Sequence, residues 1–267
     1  PLAEGKYIGA YCLSEPEAGS DARELHTIAE KVDGGWVLNG MKNWISAGKS
    51  ADVYIVFAQT NPELKHKGIA AFVIEKNTPG FEPGLKEDKM GMSSSDTTSI
   101  SMSNVFIPDE NLISEVGQGF YIAMRGLNCG RIGIAAQSVG IAEGAFNAAV
   151  KYAKERKTMG KPIAEHQLIQ AKLAQMSTKI NAAKLLTLKA AWLRDNKMDH
   201  IQESSEAKLF ASTIANEVTR EAVQIHGGYG FVKEYHVERL MRDAKITQIY
   251  EGTSEVQKIV ISRAVLK

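Results

Sequence analysis

The residue with the strongest case for acid–base chemistry is Glu251, in the segment Ile-Tyr-Glu-Gly-Thr-Ser-Glu at 249–255. Apolar residues precede it and a second apolar helical pattern begins at Val256, so we expect its carboxylate to be partly buried. Burial disfavours the charged form and raises the pKa of a glutamate, which makes it a better general base near neutral pH. The alternative is a first-turn acid stabilised by the dipole of the following helix, for which Thr253 is the expected N-cap.

Two loops in the first half of the chain carry side chains suited to binding. The loop at 14–21 (Ser-Glu-Pro-Glu-Ala-Gly-Ser-Asp) follows an expected strand and offers backbone N–H groups and hydroxyls to an anion or the edge of a heterocycle. An ordinary surface turn is the alternative. The segment Asn43-Trp44-Ile45-Ser46 places an aromatic ring beside a hydroxyl at a strand end. A tryptophan there is more often part of the core than the wall of a cofactor site.

The composition argues against several classes of protein. The 32 basic and 31 acidic residues give a formal net charge of +1 and are intermixed, which provides no electrostatic argument for binding nucleic acid or a membrane surface. No apolar run reaches the roughly 18 residues of a membrane span. The two cysteines, Cys12 and Cys129, form neither a disulfide framework nor a zinc-binding pattern and favour a reducing compartment.

Other catalytic and binding motifs are missing from the sequence. The one Glu-x-x-His spacing, at Glu63 and His66, falls in a polar loop rather than on a helix, so we expect no di-iron site and no other metal site. No Gly-x-Gly-x-x-Gly, Walker loop or Gly-x-Ser-x-Gly elbow is present, which argues against nicotinamide, nucleotide and serine-hydrolase chemistry.

The first half of the chain, residues 7–107, reads as sheet. Short runs rich in β-branched and aromatic residues alternate with turn residues, and the segment Asp33-Gly34-Gly35 is a hairpin turn signal. The expected strands are Tyr7–Leu13, Thr27–Val32, Trp36–Gly40, Val53–Ala58, Ile69–Ile74 and Ser99–Ile107. No helix of useful length fits between them, which argues against a parallel βαβ sheet and favours an antiparallel sandwich or barrel.

The second half reads as a helical bundle, so the predicted fold class is α+β with domains at 1–115 and 116–267. The expected helices begin at Phe120, stopping before Pro162, and then cover about Gln167–Asn196, Ser204–Ile225, Val237–Asp243 and Ser254–Leu266. Gly227 and Gly228 provide the stop signal for the third helix. The face that the first helix is expected to bury contains Ile132, Ala136, Val139, Ala142, Phe146 and Val150.

Five segments taken together, at 11–21, 40–46, 155–163, 224–231 and 242–255, resemble the acyl-CoA dehydrogenase family, most closely its short-chain, butyryl-type branch. The resemblance covers the whole chain in order. It implies a middle β domain followed by a four-helix bundle. The family also has a helical domain before these two, and this sequence begins with Pro1 at the β domain. We therefore expect the chain to be a fragment or one piece of a divided enzyme.

The resemblance also implies the chemistry. The expected reaction is FAD-dependent α,β-dehydrogenation of a short-chain acyl-CoA to the trans-2-enoyl-CoA. Glu251 would take the pro-R α proton, and the β hydrogen would leave as hydride to flavin N5. The Glu251 backbone N–H and a flavin ribityl hydroxyl would polarise the thioester carbonyl. Some relatives place the base at the position of Gly130, which cannot act as one. Electron-transferring flavoprotein is the expected electron acceptor, and the bacterial cytoplasm or mitochondrial matrix the expected location.

The same resemblance assigns binding residues. Contacts with the FAD of the same subunit are expected from Tyr11, Leu13, Ser14, Ser20, Trp44, Ile45, Ser46, Thr253 and Glu255. Contacts with the FAD of a neighbouring subunit are expected from Arg156, Thr158, Gln167, Gln224, Gly227 and Gly228. Contacts with the substrate are expected from Ser20, Asn128, Arg131, Tyr250 and Gly252, with Arg131 near the CoA portion. A cofactor shared between subunits implies an obligate homo-oligomer. In the family this is a dimer of dimers, so the resemblance implies a homotetramer.

Two positions depart from the family pattern. Asn128 replaces the usual Asp, and the segment 90–93 (Met-Gly-Met-Ser) lacks the usual Arg at its end. Both bear on chain-length preference and CoA affinity more than on the base. Two alternatives stay open: an oxidase of the same fold that passes electrons to oxygen, and a non-catalytic or DNA-associated member, against which the near-neutral charge argues.

Overall fold

The computed structural model describes residues 1–267, and the chain divides into two compact units. The first contains residues 1–89 and 93–126, and the second contains residues 90–92 and 127–267. The domain boundary expected between residues 115 and 116 stays a prediction.

The first unit is built on an eight-stranded sheet. Its strands are β1 (Gly9–Cys12), β2 (Ile28–Val32), β3 (Gly35–Ser46), β4 (Val53–Gln59), β5 (Ile69–Glu75), β6 (Phe81–Pro83), β7 (Thr97–Pro108) and β8 (Leu112–Ile113). The order is β6-β7-β3-β2-β4-β5-β8, and β1 pairs with β4. Most pairs are antiparallel, as expected, but β1–β4 and β2–β4 are parallel.

The hairpin between β2 and β3 forms where the sequence predicts it. Val32 pairs with Gly35, so Asp33 and Gly34 make the two-residue turn, and Gly34 has a φ of 74°. Tight hairpin turns require such left-handed backbone, which glycine adopts without steric cost. The alternate residues of these strands that point inward, including Trp36 and Leu38, belong to the sheet core.

Strands β3 and β7 are longer than the sequence indicates, each with 12 residues. The expected end of β3 at Gly40 is wrong because the strand continues past two register shifts, between Leu38 and Gly40 and between Lys42 and Ile45. Such irregularities interrupt the alternation of apolar and polar residues from which a strand is read. As a consequence, Lys42, Trp44 and Ser46 all lie on β3, and the backbone N–H of Asn43 on this strand donates to the Ser14 carbonyl of the 14–21 loop at 2.8 Å.

The helical part of the chain contains five α-helices, which confirms the predicted α+β class. They are α1 (Gly119–Glu155), α2 (Gln167–Asp195), α3 (Ile201–His226), α4 (Val237–Lys245) and α5 (Ser254–Val265). Two short strands, β9 (Lys157–Thr158) and β10 (Lys161–Pro162), pair between α1 and α2. Gly227, with a φ of 60°, ends α3 as predicted. None of the helices combines the length and the apolarity that crossing a membrane requires.

The buried face of α1 differs from the predicted one. Ala136 is exposed, and Phe146 and Val150 are only half-buried. The buried stripe contains Ile132, Ala135, Val139, Ala142, Ala145, Ala149 and Ala153. A helical period of 3.6 residues fits two neighbouring stripes almost equally well, and the small alanines occupy the closely packed one. The larger Phe146 packs at the edge of the core instead.

Candidate active site

Glu251 lies in a strained turn immediately before α5. Its φ is 54°, and that of Gly252 is 86°, so two consecutive residues adopt left-handed backbone. A non-glycine residue in this region costs on the order of 1–3 kcal/mol and persists only where its surroundings hold it. Thr253 follows as the N-cap of α5, and its hydroxyl accepts a hydrogen bond from the Val256 N–H at 3.3 Å. The predicted cap is confirmed.

The carboxylate of Glu251 is half-buried and lies among charged groups of the second unit. Burial raises the pKa of Glu251, and the positive charges of Arg131 and Lys208 partly oppose this shift. The prediction of a raised pKa is therefore confirmed. Because the two cations limit the shift, the group can still ionise and accept a proton.

Gly130 leaves the space that the carboxylate occupies. A Cβ atom added at Gly130 would lie 2.4 Å from Glu251 Oε2 and 3.0 Å from Cδ. Carbon and oxygen atoms do not approach so closely without displacing one another. The glycine at 130 and the glutamate at 251 are therefore complementary: a side chain at the first position would take the place of the second.

Arg131 is buried beside Glu251, with 5% of its surface exposed. Its Nη1 donates to Asn128 Oδ1 at 2.9 Å and to Ser205 Oγ at 3.2 Å. Burial lowers the pKa of Arg131, and the charge of Glu251 opposes this. Since Asn128 is neutral, the compensating negative charge comes from Glu251. The structure places the side chain of Arg131 in the interior. Its expected contact with CoA stays a prediction.

Two neighbours of Glu251 were not predicted from the sequence. The ammonium of Lys208 donates to the Gly252 carbonyl at 2.7 Å, and Gln257 Nε2 donates to the carbonyls of Glu251 and Gly252 at 3.2 and 2.8 Å. A signal for Lys208 was present, because it falls on the buried helical stripe of α3. That stripe contains Ser204, Lys208, Ala211 and Ala215.

Tyr250, an expected substrate contact, is half-buried, and its hydroxyl donates to Gln137 Oε1. Burial raises the pKa of Tyr250 to about 12, so the side chain is a neutral phenol at neutral pH. Tyr250 and Gly252 thus flank Glu251 in the chain, and Asn128 and Arg131 lie on the neighbouring α1. Four of the five expected substrate residues are in this cluster, and Ser20 belongs to the first unit.

In the first unit, a buried ion pair anchors the 14–21 loop. Lys42 and Glu15 are 0% and 3% exposed, and Lys42 Nζ lies 2.6 Å from Glu15 Oε1 and 3.2 Å from the Leu13 carbonyl. The backbone N–H groups of His26 and Thr27 donate to the same carboxylate. Burial works against ionisation of Glu15, but Lys42 and these hydrogen bonds outweigh it and lower the pKa of Glu15.

The same strand presents Trp44 to solvent. Its side chain is 61% exposed and its φ is 61°, so the interpretation of a core tryptophan is wrong. Ser46 is also exposed, whereas Ile45 is 2% exposed and packs in the sheet core. The loop side of this unit contributes the exposed Ser20, the half-buried Tyr11 and Ser14, and the buried Leu13.

The residues expected to meet the FAD of a neighbouring subunit all belong to the second unit and are all exposed: Arg156, Thr158, Gln167, Gln224, Gly227 and Gly228. Thr158 and Gln167 line one surface groove. The Arg156 guanidinium stands 5.7 Å from the centre of the Tyr229 ring, in the turn that contains Gly227 and Gly228. Thr253 is half-buried and Glu255 exposed at the start of α5.

Comparison with known proteins identifies the family. Sequence models for the acyl-CoA dehydrogenase middle domain and C-terminal domain match residues 10–105 and 117–266. The chain belongs to the acyl-CoA dehydrogenase family. An acyl-CoA dehydrogenase of Bacillus subtilis (strain 168) is 51% identical over 99% of this chain and 70% of its own length. The structure of butyryl-CoA dehydrogenase from Megasphaera elsdenii matches with a TM-score of 0.99 and 50% identity, over 100% of this chain and 70% of that one.

A further relative is CarC, a subunit of the caffeyl-CoA reductase–Etf complex of Acetobacterium woodii. It is 46% identical over 100% of this chain and 70% of its own length. This acyl-CoA dehydrogenase family member thus spans about 70% of the length of the relatives it matches. The predicted family and oxidoreductase class are confirmed.

FAD is the cofactor of this family, as expected, and the first unit fits a flavin. An exposed aromatic ring at Trp44 offers a flat apolar surface for a tricyclic ring. The adjacent loop offers hydroxyls at Ser14 and Ser20, and the buried Glu15–Lys42 pair fixes its start. Individual contacts with FAD stay predictions.

In this acyl-CoA dehydrogenase, Lys42→Met is expected to lower the free energy of unfolding by about 3–5 kcal/mol, because Glu15 would stay buried without its cation. Thermal or urea denaturation measures this, with Lys76→Met, at an exposed position, as the matched control. Adding Glu15→Leu to Lys42→Met should recover part of the loss, since no buried charge would then remain. If Lys42→Met lowered the free energy of unfolding by less than about 1 kcal/mol, as for ion pairs on a protein surface, the interpretation of Glu15 and Lys42 as a buried ion pair would be contradicted.

Proposed function

We propose that Glu251 is the general base of this acyl-CoA dehydrogenase and removes the α proton of a short-chain acyl-CoA, giving the trans-2-enoyl-CoA. The observation that carries the assignment is the complementarity of Gly130 and Glu251. Because a side chain at 130 would occupy the space of the Glu251 carboxylate, this complementarity supports one carboxylate, that of Glu251, at the place where α1 and the turn before α5 meet. The raised pKa of Glu251 supports a base role over that of a solvated helix-capping acid.

The turn around Glu251 also supplies a donor for the thioester carbonyl. The backbone N–H of Glu251 donates no hydrogen bond within the chain, so it is available to a substrate oxygen. A fixed donor at the oxygen where negative charge develops lowers the barrier to removing the α proton. When bound, FAD accepts the β hydrogen as hydride.

Relatives support the finer details of the proposal. The Megasphaera elsdenii relative is a butyryl-CoA dehydrogenase, which supports a short acyl chain as the substrate. The Etf complex of the Acetobacterium woodii relative supports electron-transferring flavoprotein as the partner. The family's occurrence in Bacillus subtilis and in mouse mitochondria supports a bacterial cytoplasmic or mitochondrial matrix location.

A homotetramer is the proposed assembly. Exposed apolar side chains at Leu185, Leu188 and Trp192 recur on one face of α2, at 68%, 56% and 59% exposure. An apolar stripe of this kind is typical of a helix that packs against another subunit. The exposed residues expected at a neighbour's FAD fit the same assembly.

An anaerobic titration of the FAD-loaded enzyme tests the function. Butyryl-CoA, octanoyl-CoA and palmitoyl-CoA are added in turn, and loss of the oxidised flavin absorbance is followed. We expect butyryl-CoA to bleach the flavin fastest. Bleaching by none of the three would overturn the proposal. Stoichiometric hydrogen peroxide in air, without electron-transferring flavoprotein, would indicate the oxidase alternative.

A further inference from the structure

Lys208, whose charge opposes the raised pKa of Glu251, is fully buried beside the turn that carries this base. It lies on α3, is 0% exposed, and donates one hydrogen bond, to the Gly252 carbonyl at 2.7 Å. A buried lysine is costly unless its charge is compensated, because burial removes the ammonium from water. The presence of a buried lysine at this position therefore calls for a reason beyond packing.

The hydrogen bond alone does not explain a lysine. Gln257 Nε2 donates to the same Gly252 carbonyl at 2.8 Å, and its amide carries no charge. A neutral donor is thus already in place on this oxygen. What Lys208 adds is a positive charge. That charge acts on two carboxylates, the half-buried Glu251 and the exposed Glu255, and of these Glu251 is the candidate base.

We propose that Lys208 is a positioning residue of this enzyme. It holds the Glu251–Gly252 turn in place through its hydrogen bond to the Gly252 carbonyl, and its charge keeps the Glu251 carboxylate ionised so that it can accept the substrate's α proton. The inference rests on the proposed function of Glu251. It adds a second helix to the site, because α3 then contributes a charge to a base presented by the turn before α5.

The charged groups around Glu251 come from three helices. Arg131 faces it from α1 and Lys208 from α3, and Glu255 in the first turn of α5 acts on Lys208. Burial and, to a smaller extent, the charge of Arg131 lower the pKa of Lys208, Glu251 and Glu255 oppose this, and the resulting pKa is about 8. Below pH 8, Lys208 is therefore charged and favours the ionised base. Removing that charge raises the pKa of Glu251 further, so the base becomes active only at higher pH.

The test measures the protonation of Glu251 directly. Infrared spectra of the enzyme across a pH series report the C=O stretch of a protonated carboxyl, and the difference from Glu251→Gln isolates Glu251. Lys208→Met should move the titration midpoint upwards by about 1–3 pH units, the range for a lost neighbouring charge. Lys208→Arg, which retains the charge, should leave it within about 0.5 unit. Gln257→Met, which removes only a neutral donor, is the matched control and should leave the midpoint unchanged.

An unchanged midpoint in Lys208→Met, or an equal shift in Gln257→Met, would overturn the proposal. If Lys208→Met does not fold, Lys208→Gln carries the same expectation. The unmodified enzyme provides a further check, since the carboxylate stretch of Glu251 should shift as Lys208 titrates near pH 8, and its absence would count against the proposal. These measurements need no substrate. Flavin bleaching that survives Glu251→Gln would instead refute the base assignment, so the two failures are distinguishable.

Discussion

Glu251→Gln is expected to slow flavin reduction by butyryl-CoA by about 10²–10⁴-fold, the usual contribution of a positioned general base. Glutamine has nearly the same shape but cannot accept the α proton. Anaerobic stopped-flow absorbance of the FAD-loaded enzyme measures the rate of bleaching. Binding of FAD and of the acyl-CoA should persist, because the backbone of the turn and the groups that fasten it, Lys208 and Gln257, are unchanged.

The matched control is Glu234→Gln, the same substitution at an exposed position outside the site. It should bleach at the rate of the unmodified enzyme. The pH dependence adds a second criterion. Because burial raises the pKa of Glu251, the bleaching rate of the unmodified enzyme should fall as pH drops through that value, and Glu251→Gln should lose this dependence. A variant that bleaches at the normal rate would remove Glu251 from the mechanism.

Exchanging the residues at 130 and 251 is expected to have the second largest effect. Gly130→Glu alone should be almost inactive, because its Cβ would fall 2.4 Å from Glu251 Oε2 and displace the carboxylate. Combining Gly130→Glu with Glu251→Gly empties that space and supplies a carboxylate from α1. We expect the double variant to bleach at least about tenfold faster than Glu251→Gly, while staying about 10²-fold below the unmodified enzyme because the base is displaced.

Gly130→Ala separates the steric effect from the chemical one. Its single methyl group adds no acid, so any loss of rate reports displacement of Glu251, and adding Glu251→Gly should not recover activity. Stopped-flow bleaching of the unmodified enzyme and of these five variants at one pH completes the comparison. A double variant no faster than Glu251→Gly would show that a side chain at 130 does not reach the substrate's α carbon.

The helical half of the fold was largely readable from the sequence, since its signals are local. Helix α2 was expected over Gln167–Asn196 and runs over Gln167–Asp195, and both the cap at Thr253 and the stop at Gly227 were placed correctly. Each depends on residues within one or two turns of each other. The predicted buried face of α1 was wrong at Ala136, which is exposed, because two neighbouring stripes of small residues fit the helical period almost equally well.

The sheet and the surroundings of the base were harder to predict, since they depend on contacts between distant residues. Lys42 lies 27 residues from its partner Glu15, and Lys208 lies 44 residues from Gly252. Lys208 falls on the buried stripe of α3, but no local period in the sequence places either lysine next to a carboxylate that is distant in the chain. Glu251 itself was found because its neighbours in the chain are apolar, and the resemblance to a family then gave it a role.

The close fit of Gly130 and Glu251 has an evolutionary consequence. A descendant that moved its proton acceptor onto α1 would have to alter both codons, since a side chain at 130 collides with the existing glutamate and a glycine at 251 leaves no acceptor. Each single step passes through a disabled intermediate. Lineages with the proton acceptor at 251 and lineages with it on α1 should therefore stay separate over long periods, even while the rest of their sequences change.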